Sequence, residues 1–414
     1  MKELRDIATI IMGQSPSGSV VSDDPSSGLP LLNGPSEFGA AHPFPVQWTS
    51  ESPRIAEPGD LLFCVRGSTT GRMNWADQRY AIGRGIAAIR PKAAGTADAM
   101  CGLIEAELPA LLKAATGSTF PNVSRDQLSE LPVRLGPGVS LPAVSSFLGA
   151  IRKKIDLNRQ MAATLEEMAR ALFKSWFVDF NPVHAKAEGR DPGLPADIAA
   201  LFPDSFDDEG LPMGWTSGTP ESFVEINPTT RINRAAEASY IDMAALPTRG
   251  PGITSIVSRP VGSGSKFKNG DTLLARITPC LENGKTALVD RLADEEVAWG
   301  STEFIVMRPR ERVPAPLPYL IARDAAFRAH VIASMSGTSG RQRAPAEAVG
   351  RWSIAVPTDA VISAWGNAVL PMFDRIKATS LEAEKLTELR DTLLPKLLAG
   401  ELRLPDAEVV IAAA

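Results

Sequence analysis

The sequence predicts an α+β chain: two tandem α/β modules with two long helices forming an antiparallel coiled-coil-like spacer. Three observations point there. The chain is written twice. Each copy holds short apolar runs divided by Gly, Pro, Ser and Asn, the pattern of a mixed domain with irregular loops. Each copy then runs into a long apolar stripe at helical spacing.

The first module is placed at 1–140 and the second at 214–358. Gly59-Asp60-Leu61-Leu62 leads through an apolar strand to Arg66, and Gly270-Asp271-Thr272-Leu273-Leu274 leads likewise to Arg276. Gly117-Ser118-Thr119 recurs as Gly337-Thr338-Ser339, and a short strand ending in proline follows each, at 133–137 and 354–357. The offset is 211 residues at the first landmark (270 − 59) and 220 at the second (337 − 117), so the second copy carries modest loop insertions.

A helix at 141–180 follows the first module. Its seam is Leu148, Ile151, Ile155, Asn158, Ala162, Leu165, Ala169, Leu172 and Trp176, alternating steps of three and four. Adding 221 gives Val369, Met372, Ile376, Thr379, Ala383, Leu386, Arg390, Leu393 and Leu397 in the helix at 359–402. Charges flank both seams. A helix of roughly 30 residues spans about 45 Å, enough for a rigid spacer. Because each stripe follows its own module, two helices packing on each other is favoured over two core-facing helices. Residues 181–213, rich in Pro, Gly and Asp, read as a long linker, and 403–414 as a C-terminal tail.

Composition narrows the classes. With 44% hydrophobic and 22% charged residues over 414, the chain reads as globular, with two or three cored domains. The apolar run from Leu61 to Val65 stops at Arg66, far short of the roughly 20 residues of a membrane span. The N-terminus shows no signal-peptide core. Cys64, Cys101 and Cys280 are isolated and odd in number, which points to reduced thiols in a cytoplasmic protein and away from a disulfide frame or zinc site. The formal net charge of −5 counts against a nucleic-acid binder, but local clusters matter more. One comprises Arg66, Arg72, Arg79, Arg84, Arg90 and Lys92; the other Arg323, Arg328, Arg341, Arg343 and Arg351.

Catalytic motifs are weak. Asn283-Gly284-Lys285-Thr286 matches the end of a phosphate-binding loop, but Pro279 stands where the pattern needs glycine. A hairpin turn with Lys285 free for a phosphate is expected instead. The Asn-Pro pairs at Asn181 and Asn227 lack the Asn-Pro-Pro-aromatic pattern of amine methylation. His42, His184 and His330 are scattered, so neither a catalytic nor a metal site is assigned.

Several segments together resemble the specificity subunits (HsdS) of type I restriction–modification systems, over essentially the whole chain. They are Ile11-Met12-Gly13-Gln14-Ser15-Pro16, Val65-Arg66-Gly67-Ser68-Thr69, Gly83-Arg84-Gly85, Phe173-Lys174-Ser175-Trp176-Phe177 and Leu393-Leu394-Pro395-Lys396-Leu397. The resemblance implies two target recognition domains, each reading half of a split double-stranded DNA site. The paired helices would set the half-site spacing and dock two modification (methyltransferase) subunits, with restriction (translocase–nuclease) subunits joining. The chain itself would be non-catalytic. It would need no cofactor, S-adenosylmethionine, ATP and magnesium belonging to its partners. One departure is that Leu211-Pro212-Met213-Gly214-Trp215 precedes the second module while the first begins almost at Met1 without a counterpart.

Base edges are read by Arg, Lys, Gln, Asn and Ser, and phosphates by Arg, Lys and amides. The expected DNA-binding residues are Gln14, Ser15, Arg66, Ser68, Arg72 and Arg84 in the first module. In the second they are Arg276, Lys285, Ser339, Arg341, Gln342 and Arg343. The helix seam is expected to rest on Ile151, Ile155, Leu165, Leu172, Ile376, Leu386, Leu393 and Leu397. The alternative is a coiled-coil scaffold whose modules bind protein rather than DNA.

Overall fold

The computed structural model describes residues 2–39, 41–115, 121–233, 237–338 and 340–412. The chain forms two compact units. One comprises 1–157 with 382–414, the other 158–381, so each unit holds one module together with part of each long helix.

In the first unit the central layer is a four-stranded antiparallel sheet, ordered Ala8–Met12, Ile86–Pro91, Leu61–Cys64, Met73–Trp75. Strand Leu61–Cys64 is wholly apolar because both of its faces are covered. Leu61, Phe63 and Val65 pack with Met100 and Ile104 of helix Ala97–Ala114. Leu62 packs the other way, with Leu32, Tyr80 and Ile82 of a second sheet. That second sheet is ordered Val21–Ser22, Gln47–Thr49, Leu29–Leu32, Tyr80–Ile82, Ile55–Ala56, and Leu29–Leu32 runs parallel to Tyr80–Ile82. A two-stranded ribbon, Lys2–Glu3 with Pro132–Val133, closes the module.

The second unit repeats this topology but for one edge strand. Its central sheet is ordered Val224–Ile226, Phe304–Pro309, Thr272–Ala275, Thr286–Leu288. Its second sheet is ordered Val257–Pro260, Glu237–Ile241, Val297–Gly300, Lys266–Lys268, and the equivalent pair is again parallel. Thr216–Gly218 with Ile354–Val356 is the matching ribbon. Leu274, Ile305 and Met307 pack with Leu317, Leu320 and Ile321 of helix Pro316–Arg323, while Leu273, Phe304 and Val306 face Ile241, Phe267 and Ala298. The first unit's second sheet has one strand more, Val21–Ser22. The α+β architecture with two modules and two long helices is therefore as the sequence implies.

An ion pair built on a buried aspartate is also duplicated. The Arg90 guanidinium grips Asp60 through two hydrogen bonds of 2.8 Å, and Arg308 grips Asp271 at 2.8 and 2.6 Å. Each aspartate also accepts the backbone N–H three residues before it, from Glu57 and Lys268. The Gly-Asp landmark thus closes the turn that starts the central strand and anchors it to the neighbouring strand.

The pairing corrects the alignment of the repeat. Ile86 pairs with Cys64 and Phe304 with Ala275. Val65 N–H donates to Gly85 O, and Arg276 N–H to Glu303 O. Thr272 therefore occupies the place of Leu61. Arg276 occupies the place of Val65, and Arg66 that of Ile277. The two arginines matched in sequence stand one residue out of register, and side-chain direction in extended chain alternates residue by residue.

The long helices are Leu141–Phe177 and Asp359–Ala399. In the first unit Ile151 and Ile155 pack with Ala383 and the partly buried Leu386, and Lys154 pairs with Glu382 at 3.2 Å. In the second unit Phe173 meets Trp365 at 6.5 Å, and Arg375 reaches Met161. Numbers rise along one helix as they fall along the other, so in each unit the segments run antiparallel. Leu165, Leu172 and Ile376 join the second unit's core, while Leu393 and Leu397 pack on Ala407 in the first. Asn158 and Thr379, each 1% exposed, are polar positions within the seam, and a polar seam residue favours one register over its neighbours.

Two stretches are more ordered than their composition suggests. Residues 181–213, read as a linker, form helices Asn181–Ala187 and Ala196–Ala199 and bury Val183 and Phe202. Trp176 packs edge-on against Phe202 at 4.9 Å. Apolar side chains spaced among the Pro and Gly residues hold this segment down. The tail likewise forms helix Leu404–Ala412, with Ala407 buried. No described helix is long and apolar enough to cross a membrane.

Candidate nucleic-acid interface

Antiparallel pairing brings three chain segments to one end of each central sheet: the end of its first strand, the start of its last and the end of the Gly-Asp strand. In the first unit Gly13 N–H donates to Ile86 O and Gln14 N–H to Ile82 O, while Arg84 N–H donates to Ser15 Oγ at 3.3 Å. A Cβ on Gly13 would stand 2.1 Å from Gly83 O, so only glycine permits this approach. Gln14, Arg66, Ser68 and Arg84 are exposed around this end, and Ser15 is half-buried. Arg72 differs: its guanidinium donates to Pro35 O and Phe38 O at 3.1 and 2.9 Å.

In the second unit the corresponding end opens into a concavity of ≈ 660 Å³. The pairing shows why. In the first unit the first strand stays in register to Met12, opposite Ala87, whereas in the second it stops at Ile226. Asn227 then adopts a left-handed φ of 49°, which asparagine tolerates because its short amide bonds locally. Its Oδ1 accepts Val306 N–H at 2.9 Å, and the chain peels away through 228–232. Arg231, Lys266 and Arg276 are the cationic lining residues, Thr230 and Thr302 add hydroxyls, and no described lining residue is a carboxylate.

The other expected residues of the second module divide. The loop carrying Arg341, Gln342 and Arg343 is laid across 277–278: Ile277 bridges Arg343, and Gln342 N–H donates to Thr278 Oγ1 at 3.1 Å. Arg341 is exposed. Arg343 pairs with Glu303 at 2.8 Å, and that carboxylate holds its guanidinium above the usual arginine range. Lys285, expected free, donates Nζ to Met243 O at 2.7 Å. Asn283-Gly284-Lys285 ends the turn after strand Thr272–Ala275, and Thr286 begins the paired strand Thr286–Leu288. Ser339 and the Gly117-Ser118-Thr119 landmark lie outside the described residues.

Both basic clusters lose members to structural roles. Arg90 is held by Asp60, Arg79 lies 3.4 Å from Glu57, and Lys92 Nζ donates to Arg5 O. Arg323, only 5% exposed, donates to the carbonyls of Thr248, Gly250, Gly284 and Thr286 and to Tyr319 Oη. Tyr319 donates in turn to Glu166 of the first long helix at 2.6 Å, and burial pushes its hydroxyl well above the usual range. This network ties the second module's loops to the helix within its own unit.

Sequence reasoning missed the segment 228–232 and Lys266. Their signal lies in strand register: only the pairing places them beside Arg276. The histidines stand apart from this end of the sheet. His42 and His330 bond the carbonyls of Trp75 and Ala348, and His184 stacks on Phe206 at 4.5 Å.

No family model matches the chain. It is 23% identical over 409 residues to the type I restriction enzyme HindI specificity subunit of Haemophilus influenzae, covering 85% of this chain and 88% of that protein. It is also 31% identical over 142 residues to the EcoAI specificity subunit of Escherichia coli, covering 33% of this chain and 24% of that one. Among solved structures, the type I restriction–modification S subunit from M. genitalium shares the fold, with a TM-score of 0.54 at 14% identity over 96% of this chain and 95% of that one. The resemblance read from the motifs is thus shown in both sequence and fold.

Proposed function

We propose that this chain is the DNA-recognition subunit of a type I restriction–modification enzyme and acts in the cytoplasm. Each module reads one half of an asymmetric split site in double-stranded DNA. The paired helices set the half-site spacing and dock two modification subunits, and restriction subunits complete the enzyme. Catalysis, with S-adenosylmethionine, ATP and magnesium, resides on those partners.

The observation that carries this reading is the duplication of the scaffold without duplication of its loop ends. The topology and the Asp–Arg pair repeat, whereas the sheet end that carries Arg84 in one unit carries Thr302 in the other. Two copies of a frame with different donors and acceptors at one edge suit two different half-sites. Fixing two readers on one helix pair follows the logic that links half-site spacing to protein geometry.

The test is methylation mapping of host DNA when the chain is expressed with its cognate modification subunits. A single split motif that disappears with the chain is expected, and exchanging residues 214–358 for another module should alter one half alone. An assembled complex with no chain-dependent motif would refute the proposal and favour a protein-binding scaffold.

A further inference from the structure

The internal duplication separates charges that the scaffold needs from charges it does not. Asp60–Arg90 recurs as Asp271–Arg308, so that pair belongs to the frame. Arg276 does not recur. The same strand position holds Val65 in the first unit, fully buried in its core. The backbone there is identical in its bonding: Arg276 N–H donates to Glu303 O and its carbonyl accepts from Ala344, as Val65 donates to Gly85 O and accepts from Val123. The frame therefore accepts an aliphatic side chain at this place, and the guanidinium in the second unit serves something else.

Arg276 also lacks a partner for a buried donor. Its Nε is shielded from solvent and has no hydrogen-bond acceptor among the described residues. A buried donor left unmade weakens the folded state, and such groups in native proteins have a reason. Arg276 lines the concavity beside Lys266 and Arg231, with no described carboxylate among the lining residues. The site is built for a ligand rich in acceptors.

Resting on the reading above, we propose that Arg276 is a specificity-determining residue of the second half-site and reads a guanine there. Guanine presents two adjacent acceptors, O6 and N7, in the major groove, and the fork of a guanidinium matches them with two donors. Lysine carries the same charge on a point-like head and cannot reproduce the fork. Charge and geometry can therefore be separated experimentally. Valine is the second informative variant, since the first unit shows that the frame holds it.

The experiment expresses the full chain with its modification subunits, confirms co-elution of the complex, and maps methylated motifs for wild type, Arg276→Lys and Arg276→Val. The expected result is an unchanged first half and a second half in which one G·C position becomes degenerate. The preference for that base should fall about tenfold or more, the scale of one lost bidentate base contact. Arg276→Lys keeping the full wild-type motif would overturn the assignment by showing that charge alone suffices. So would uniformly weaker methylation with the motif intact, the mark of a phosphate contact, or loss of all methylation by both variants in an assembled complex. If wild type itself gives no motif, the recognition-subunit reading fails and this assignment falls with it; a wild-type split motif untouched by both variants removes the assignment alone.

Discussion

Replacing Asp271 by Asn removes the charge that Arg308 is folded around. Asp271 is 1% exposed, and the Arg308 side chain 18%. Burying two charges is tolerable only while they face each other, and taking one away leaves the other desolvated at a cost of about 3–5 kcal/mol. The same change in the first unit, Asp60→Asn, should be milder. Asp60 is buried, but the Arg90 side chain is 39% exposed and can turn to water, so about 1–2 kcal/mol is expected. For a unit of this size each kcal/mol lowers the melting temperature by about 2–4 °C. Calorimetry of the full chain should therefore show Asp271→Asn melting about 10 °C lower and Asp60→Asn about 4 °C lower. The double change Asp271→Leu with Arg308→Met should recover part of the loss, short of wild type because Lys268 N–H loses its acceptor. Equal losses at the two sites, or a drop below about 3 °C for Asp271→Asn, would refute the argument from burial.

Tyr319→Phe deletes the hydroxyl that donates to Glu166 and accepts from Arg323. Two buried charged groups lose a partner, so thermal unfolding should show about 1.5–3 kcal/mol of destabilisation; an unchanged melting temperature would deny the network any role. Burial raises the pKa of Glu105 in the first unit, with Arg390 partly opposing the shift. Its folded value thus lies above its unfolded one. The stability it contributes is present below the ordinary glutamate value, about 4, and is lost as pH rises through the raised folded value. Glu105→Gln, which cannot ionise, should melt higher than wild type at neutral pH and lose that advantage in acid; melting curves across pH check both limbs, and a gain confined to acid would reverse the sign.

How far the residues themselves reveal this molecule depends on the range over which each signal acts. The two copies, the Gly-Asp landmarks and the seams from Leu148 to Trp176 and from Val369 to Leu397 were legible, because repetition and helical periodicity are written into neighbouring residues. They suffice for two modules and two long helices. Register between strands is not local. Arg66 and Arg276 read as equivalent until Cys64 and Ala275 are seen against Ile86 and Phe304, a pairing that sets Arg276 in the place of Val65. Charge also reads as surface in a sequence. Only packing shows that Arg323 is held by four carbonyls, that Lys285 is held by Met243, and that Arg276 keeps a donor unpaired among the described residues in a cationic concavity. Residues 181–213 make the same point in reverse: Pro and Gly suggested a loose connection, yet Val183 and Phe202 find a core. The residues themselves determined which segments repeat and which face of each helix is apolar. Tertiary structure alone decided which charges are paired, because partners distant in sequence meet only when strands align, and a one-residue shift in that alignment sends a side chain to the other face.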